Sequence, residues 1–318
     1  MEYESILRKE INDFLQYYKM MNRDIRGFIT IFNKLDAVLI SVNQSEKSIT
    51  RETAEIFLAS FSVRNYCLYN YISHYNIFAR YLNSINIYAY ELELPKNSSD
   101  YTPYIFDRNE LERIIKAADN FYTSTCPLYS IQIPVFIRIL YGCGTRVTET
   151  LNIKVRDIDF IKGTIHLYKA KNNKQRLIPI DQTLTEILKN YISVRKLVTY
   201  DYLFHMQTEN KPWNIDSVGN CFEQVLKRAG ITYIREKRND RGPSLHCLRH
   251  TFVLNSLKKS AKSGRPFNEY TPFLSTYLGH SSLRETDKYL RFSYELYDEA
   301  IASIDTYTSN FYPEVTNY

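Results

Sequence analysis

Two prolines divide this chain. Pro95 and Pro103 bracket the run Lys96-Asn97-Ser98-Ser99-Asp100-Tyr101-Thr102, which is short and polar. Proline removes a backbone donor and clashes with the preceding helical turn, and the Asn, Ser and Asp side chains compete for local backbone groups. No helix or central strand runs through such a stretch, so it reads as a linker. A chain of 318 residues has room for two domains. The linker places them at residues 1–98 and 99–318.

Before the linker, residues 4–43 and 51–90 carry apolar side chains at helical spacing, as in Ile72, Ile77, Ala79, Tyr81 and Leu82. A small all-helical domain follows from that pattern. After it, Asp107 or Asn109 can cap a helix running to Ala118, and a second helical run covers Ile131–Tyr141 up to Gly142-Cys143-Gly144. The period then changes. Asp157–Tyr168 holds two β-rich runs split by Lys162-Gly163, and the turn Lys171-Asn172-Asn173-Lys174 precedes a short strand, Arg176–Ile180. Leu184–Val198 returns to helical spacing. From Asp216 onward the chain reads as helical, broken by the basic segment 235–243. The expected fold is mainly α, with one small three-stranded antiparallel sheet.

Composition narrows the function classes. Residues 1–100 hold 11 Lys and Arg against 12 Asp and Glu, leaving 30 against 23 for the remainder. The basic excess of the second part suits a polyanionic partner, because cations at phosphates release condensed counterions. The five cysteines are scattered and form no Cys-x-x-Cys pair. That argues against a disulfide framework or zinc finger and for a reducing, cytoplasmic setting. The start, Met1-Glu2-Tyr3-Glu4, has no apolar leader run, and no stretch has the roughly 20 apolar residues of a membrane helix.

Three segments carry polar groups without an obvious packing task. In Gly144-Thr145-Arg146-Val147-Thr148-Glu149, the spacing of Arg146 and Glu149 puts both on one face of a helix start. That describes either a surface ion pair or a carboxylate orienting an arginine. The Gly142-x-Gly144 pair is not a dinucleotide fingerprint, since the third position is Val147. Lys171 on its turn is either a solvated charge or a mobile general acid. The third segment is Ser244-Leu245-His246-Cys247-Leu248-Arg249-His250, followed by Tyr277-Leu278-Gly279-His280 and later Tyr289. His246 and Arg249 share a helical face. His246 and His250 have metal-pair spacing, but no acidic residue lies between them and no third ligand stands at fixed spacing. His280 after a glycine also suits a core or capping role.

Taken in order, Arg146 with Glu149, Lys171 on its hairpin, His246-x-x-Arg249, Leu278-Gly279-His280 and Tyr289 resemble the tyrosine site-specific recombinase, or phage integrase, family, including the Xer recombinases. The resemblance spans roughly residues 101–295. It implies that Arg146, Lys171, His246, Arg249 and His280 handle phosphate, that Tyr289 is the nucleophile, and that Glu149 supports Arg146. Tyr277, Tyr294 and Tyr297 are the nearest rivals among 28 tyrosines, and only the interval from His280 favours Tyr289. Two departures stand out. Thr145 replaces the usual apolar residue, and the stretch containing Lys258-Lys259-Ser260-Ala261-Lys262-Ser263-Gly264 is lengthened.

What the resemblance implies is concrete. A helical core-binding domain and a catalytic domain grip double-stranded DNA. The enzyme needs no metal and no other cofactor. Strands are cut and rejoined through a 3′-phosphotyrosyl intermediate and a Holliday junction within a homotetramer, as in phage or mobile-element integration and excision. Type IB topoisomerases share the chemistry, and a DNA-binding protein that kept the fold without catalysis is the non-enzyme rival. Beyond Tyr289, the apolar stripe Leu296, Ala300, Ile301 and Ile304 predicts a tail helix over 294–305. It packs either on its own domain or, as the resemblance implies, on a neighbouring protomer.

Overall fold

A computed structural model describes residues 3–21, 23–61, 65–95, 103–123, 126–168, 175–206, 209–234, 242–263, 267–279, 282, 286 and 289. The chain divides into two compact units, residues 1–100 and 101–318.

The first unit has four helices among its described residues: α1 (Arg8–Met20), α2 (Arg26–Ser41), α3 (Arg51–Ala59) and α4 (Asn65–Ser84). The apolar periodicity over 4–43 thus belongs to two helices, with Asp24 accepting the Arg26 N–H at the start of the second. Their core is aromatic. The Phe14 ring meets Phe28, Phe32 and Phe78 with centroids 5.0, 5.6 and 5.3 Å away. Such edge-on pairs add to the gain from burial alone. Side chains also stand in for strand partners. The Asn76 amide gives and takes one hydrogen bond each with the Leu92 backbone, 2.8 and 2.9 Å, and Asn83 does the same with Ala89. Asp36, nearly buried, accepts the N–H groups of Glu4 and Ser5.

The second unit opens with α5 (Arg108–Asp119). Asp107 accepts the Glu110 N–H at 2.8 Å and Glu110 returns the bond at 2.9 Å, a reciprocal cap. Next, α6 (Pro127–Cys143) starts on a proline, where the missing N–H is no loss, and is buried along most of its length. It packs against α5 and against the later helices α8 (Gln182–Arg195), α9 (Ile215–Arg228) and α10 (Leu245–Lys262). Between these lie the short α7 (Val147–Leu151) and the strands β1 (Ile158–Asp159), β2 (Thr164–Leu167) and β3 (Arg176–Pro179). The strands form an antiparallel sheet in that order, with Ile165 opposite both Ile158 and Ile178. Gly163 turns the first hairpin at φ +60°, a region that side chains resist.

One element had no expectation behind it. A second antiparallel pair, β4 (His205–Met206) with β5 (Glu209–Pro212), leads into Trp213, whose indole stacks on Tyr129. Finally, α11 (Phe267–Leu278) packs on α10 and β3. No helix among the described residues is long and apolar enough to cross a membrane.

Candidate active site

Chain reversals set the site. Helix α6 ends at Gly144, φ +58°, where an added Cβ would stand 2.2 Å from the Phe252 ring of α10. Only glycine lets these two elements approach so closely. Two residues on, Arg146 caps α7 from an extended conformation, so it lies ahead of the helix rather than on its first turn. Glu149, three residues later, bends back to accept the Arg146 backbone N–H at 2.8 Å and its Nη1 at 2.8 Å. Of the two readings of this pair, the structure gives the internal one. Glu149 is 3% exposed.

A residue that sequence reasoning passed over completes the cluster. Arg176, first residue of β3, places Nη1 and Nη2 on the two Glu149 oxygens at 3.0 and 2.7 Å. Burial works against ionising Glu149, yet the paired Arg176, with Arg146 behind it, holds the carboxyl down at about 2. The Arg176 Nε is buried and has no hydrogen-bond partner among the described residues. The available signal was an arginine at the foot of a hairpin, which read as an ordinary strand residue.

The remaining groups come from α10 and the end of α11. Arg249 is 4% exposed. It donates from Nη1 to the Gly144 carbonyl and from Nη2 to the Leu278 carbonyl, the latter at 2.9 Å. Arg146 donates from Nη2 to the next carbonyl, Gly279, at 3.1 Å. Arginines 103 positions apart in sequence thus meet on consecutive peptides. Burial first, and then Arg146, lower the Arg249 guanidinium to about 10, so it stays charged at neutral pH. His246, three residues before Arg249, keeps a solvent-facing side. Its imidazole pKa is nonetheless lowered, by desolvation first and then by Arg249 and Arg146.

Tyr289 is 6% exposed, in an apolar cluster with Val253, Leu254, Leu257, Leu274 and Leu278. Its hydroxyl lies 2.7 Å from Nδ1 of His250. His250 was weighed only as half of a metal pair, and its contact with Tyr289 is not visible from spacing. The structure therefore brings Arg146, Glu149, His246, Arg249 and Tyr289 into one region of the second unit, joined by Arg176 and His250. Lys171, His280 and the expected tail helix over 294–305 lie outside the described residues.

In charge terms, two guanidiniums, those of Arg146 and Arg176, share a single carboxylate, and the third, Arg249, lies on the carbonyls of Gly144 and Leu278. Such a centre favours an anion with several oxygens. A cavity of about 350 Å³ opens beside it, lined by Arg146, His246, Val147, Ile215, Phe222 and Leu245 among others.

Comparison with known proteins points the same way. The family model described as "Phage integrase family" matches residues 105–295. The tyrosine recombinase XerA of Pyrococcus furiosus is 30% identical over 177 residues, which is 55% of this chain and 55% of that relative. A tyrosine recombinase of Thermosipho africanus is 25% identical over 296 residues, 91% of this chain and 92% of its own length. Among solved structures, the XerH site-specific recombinase bound to its difH substrate in a pre-cleavage complex shares the fold. Its TM-score is 0.65 at 22% identity, over 87% of this chain and 78% of that one.

Proposed function

The chain belongs to the phage integrase family as a tyrosine recombinase, and from that premise we propose that it cuts and rejoins double-stranded DNA through a covalent bond to Tyr289. The observation that carries this reading is the meeting of Arg146 and Arg249 on the consecutive carbonyls of Gly279 and Leu278. Two arginines fixed side by side can each present parallel N–H groups to the non-bridging oxygens of one phosphodiester. They match the charge that builds as the phosphorus becomes pentavalent, so they act most strongly in the transition state.

In this mechanism the Tyr289 oxygen attacks the phosphorus, the bond to the 5′ oxygen breaks, and the DNA is left joined by a 3′-phosphotyrosyl link. A phenol has an ordinary pKa of about 10, so its proton must pass to a base as the new bond forms. His246, whose imidazole pKa is lowered by desolvation and then by Arg249 and Arg146, stands where it can hydrogen-bond the phosphate. Lys171 donates the proton that the leaving 5′ oxygen needs, and His280 adds a further donor. A 5′ hydroxyl from another strand then reverses the step, and two such exchanges pass through a Holliday junction. Residues 1–98 serve as the core-binding domain and residues 99–318 as the catalytic domain of a homotetramer linked by the C-terminal helix. The basic balance of the second part, 30 Lys and Arg against 23 Asp and Glu, supports a DNA partner. So does the substrate-bound state of XerH.

The test begins by selecting the protein's own site from random duplexes. A nicked version of that site traps the intermediate. The full chain forms an adduct that survives denaturant, whereas Tyr289→Phe forms none and binds the half-site within about threefold of normal, because phosphate contacts dominate affinity. An adduct formed by the Phe variant would move the nucleophile elsewhere.

A further inference from the structure

Resting on the reading of Arg146 as a phosphate grip, we propose that Arg176 is the positioning residue of the site, aiming Arg146 by fixing both oxygens that hold its guanidinium. Those oxygens belong to Glu149 and Gly279. The Arg146 Nη1 rests on Glu149 Oε1 at 2.8 Å and its Nη2 on the Gly279 carbonyl at 3.1 Å. Arg176 grips the first support and lies close to the residue that carries the second. Its Nη atoms grip the two Glu149 oxygens at 3.0 and 2.7 Å. Its guanidinium also packs beneath Gly279, where an added Cβ would stand 2.9 Å from Nη1. A larger residue would push this guanidinium aside, and the positive φ of +64° at Gly279 is a second reason for glycine there.

Local chemistry explains why an arginine is used. A carboxylate that serves two guanidiniums, with Oε1 accepting from both, keeps its direction only if it cannot rotate. A planar fork on both oxygens stops that rotation, and a single ammonium does not. The Arg176 side chain is 9% exposed, so the pair with Glu149 is little screened by water. Its backbone belongs to the sheet, opposite Leu167. Arg176 therefore ties the aim of Arg146 to the rigid β2–β3 ladder rather than to the short α7.

The experiment is a double-mutant cycle on single-turnover cleavage, with the full chain and the nicked site selected from random duplexes. Arg176→Gln is expected to slow cleavage roughly 100-fold, on the scale of losing one aligned donor. Its half-site affinity stays within about threefold of normal. Acting through Arg146, it adds almost nothing in the Arg146→Ala background, so the double variant cleaves no more slowly than Arg146→Ala alone. Arg176→Lys keeps the charge but not the fork, and restores only part of the rate. The proposal is overturned if the two losses multiply, since a merely structural residue weakens both backgrounds alike. It is equally overturned if Arg176→Gln cleaves normally. Where thermal melting shows Arg176→Gln unfolded, Arg176→Lys takes its place in the cycle under the same criteria. Normal cleavage by Arg146→Ala would sink the phosphate-grip reading and this proposal with it. A slow Arg146→Ala with multiplying losses sinks the proposal alone.

Discussion

The two units bury polar groups for opposite ends. In the first, Asn76, Asn83 and Asp36 spend their hydrogen bonds on backbone groups of Leu92, Ala89, Glu4 and Ser5. Each closes the fold on itself and adds no buried cation. In the second, Arg146, Arg176 and Arg249 converge on Glu149 and on main-chain carbonyls, and their summed charge stays positive. Burying a charge without full compensation costs free energy that a stability-driven core avoids. The difference teaches where to look for function: a buried polar group that completes a backbone is architecture, and one that leaves charge over is waiting for a partner.

The comparison can be broken in three places. The largest effect is expected at Arg249. Replacing it with Ala should slow single-turnover cleavage about 10³-fold, or about 4 kcal/mol, because the proposed mechanism then loses one of its two grips on the phosphate. Half-site binding should fall only severalfold. A variant that keeps cleavage within tenfold of normal would mean the leftover charge serves only folding.

The next effect concerns acid. The Glu149 carboxyl lies below its ordinary value of 4.5, at about 2. Its contribution is therefore complete above about pH 4.5 and is lost as the pH falls toward 2, and integrates to about 3 kcal/mol. Denaturant titrations across that window should show the wild type losing this much relative to Glu149→Gln, which has no proton to gain. Parallel curves would show that Arg176 and Arg146 do not hold the carboxylate as described.

The smallest effect belongs to the first unit. Asn76→Ala strands the Leu92 N–H and carbonyl, and should lower stability by about 2 kcal/mol in a chemical melt. The rate of cleavage by DNA-bound protein should not change. A changed rate would mean that the first unit's polar groups also serve chemistry.

Much of this was legible in the sequence, and the gaps have causes. Asp107, one of two candidate caps, announces α5, and Lys162-Gly163 announces the first hairpin, because caps and turns depend on residues a few positions apart. The β4–β5 pair escaped because a strand of two residues, His205–Met206, has no alternation to detect. At the site, Arg146, Glu149, His246 and Arg249 were singled out because their motifs, taken in order, resemble those of the family, and the structure brings them into one region. Arg176 and His250 were not, because each is defined by a contact across the fold, 27 residues to Glu149 and 39 to Tyr289. Spacing carries no information about such pairs. The same holds for the position of Arg146 ahead of α7, which depends on where Gly144 turns the chain.

The paired carbonyls of Leu278 and Gly279 have a consequence for timing. Each holds one arginine, and they sit on neighbouring peptides. A tilt of that one short segment therefore loosens or tightens both grips together, and a half-armed centre, with one arginine set and the other adrift, has little room to persist.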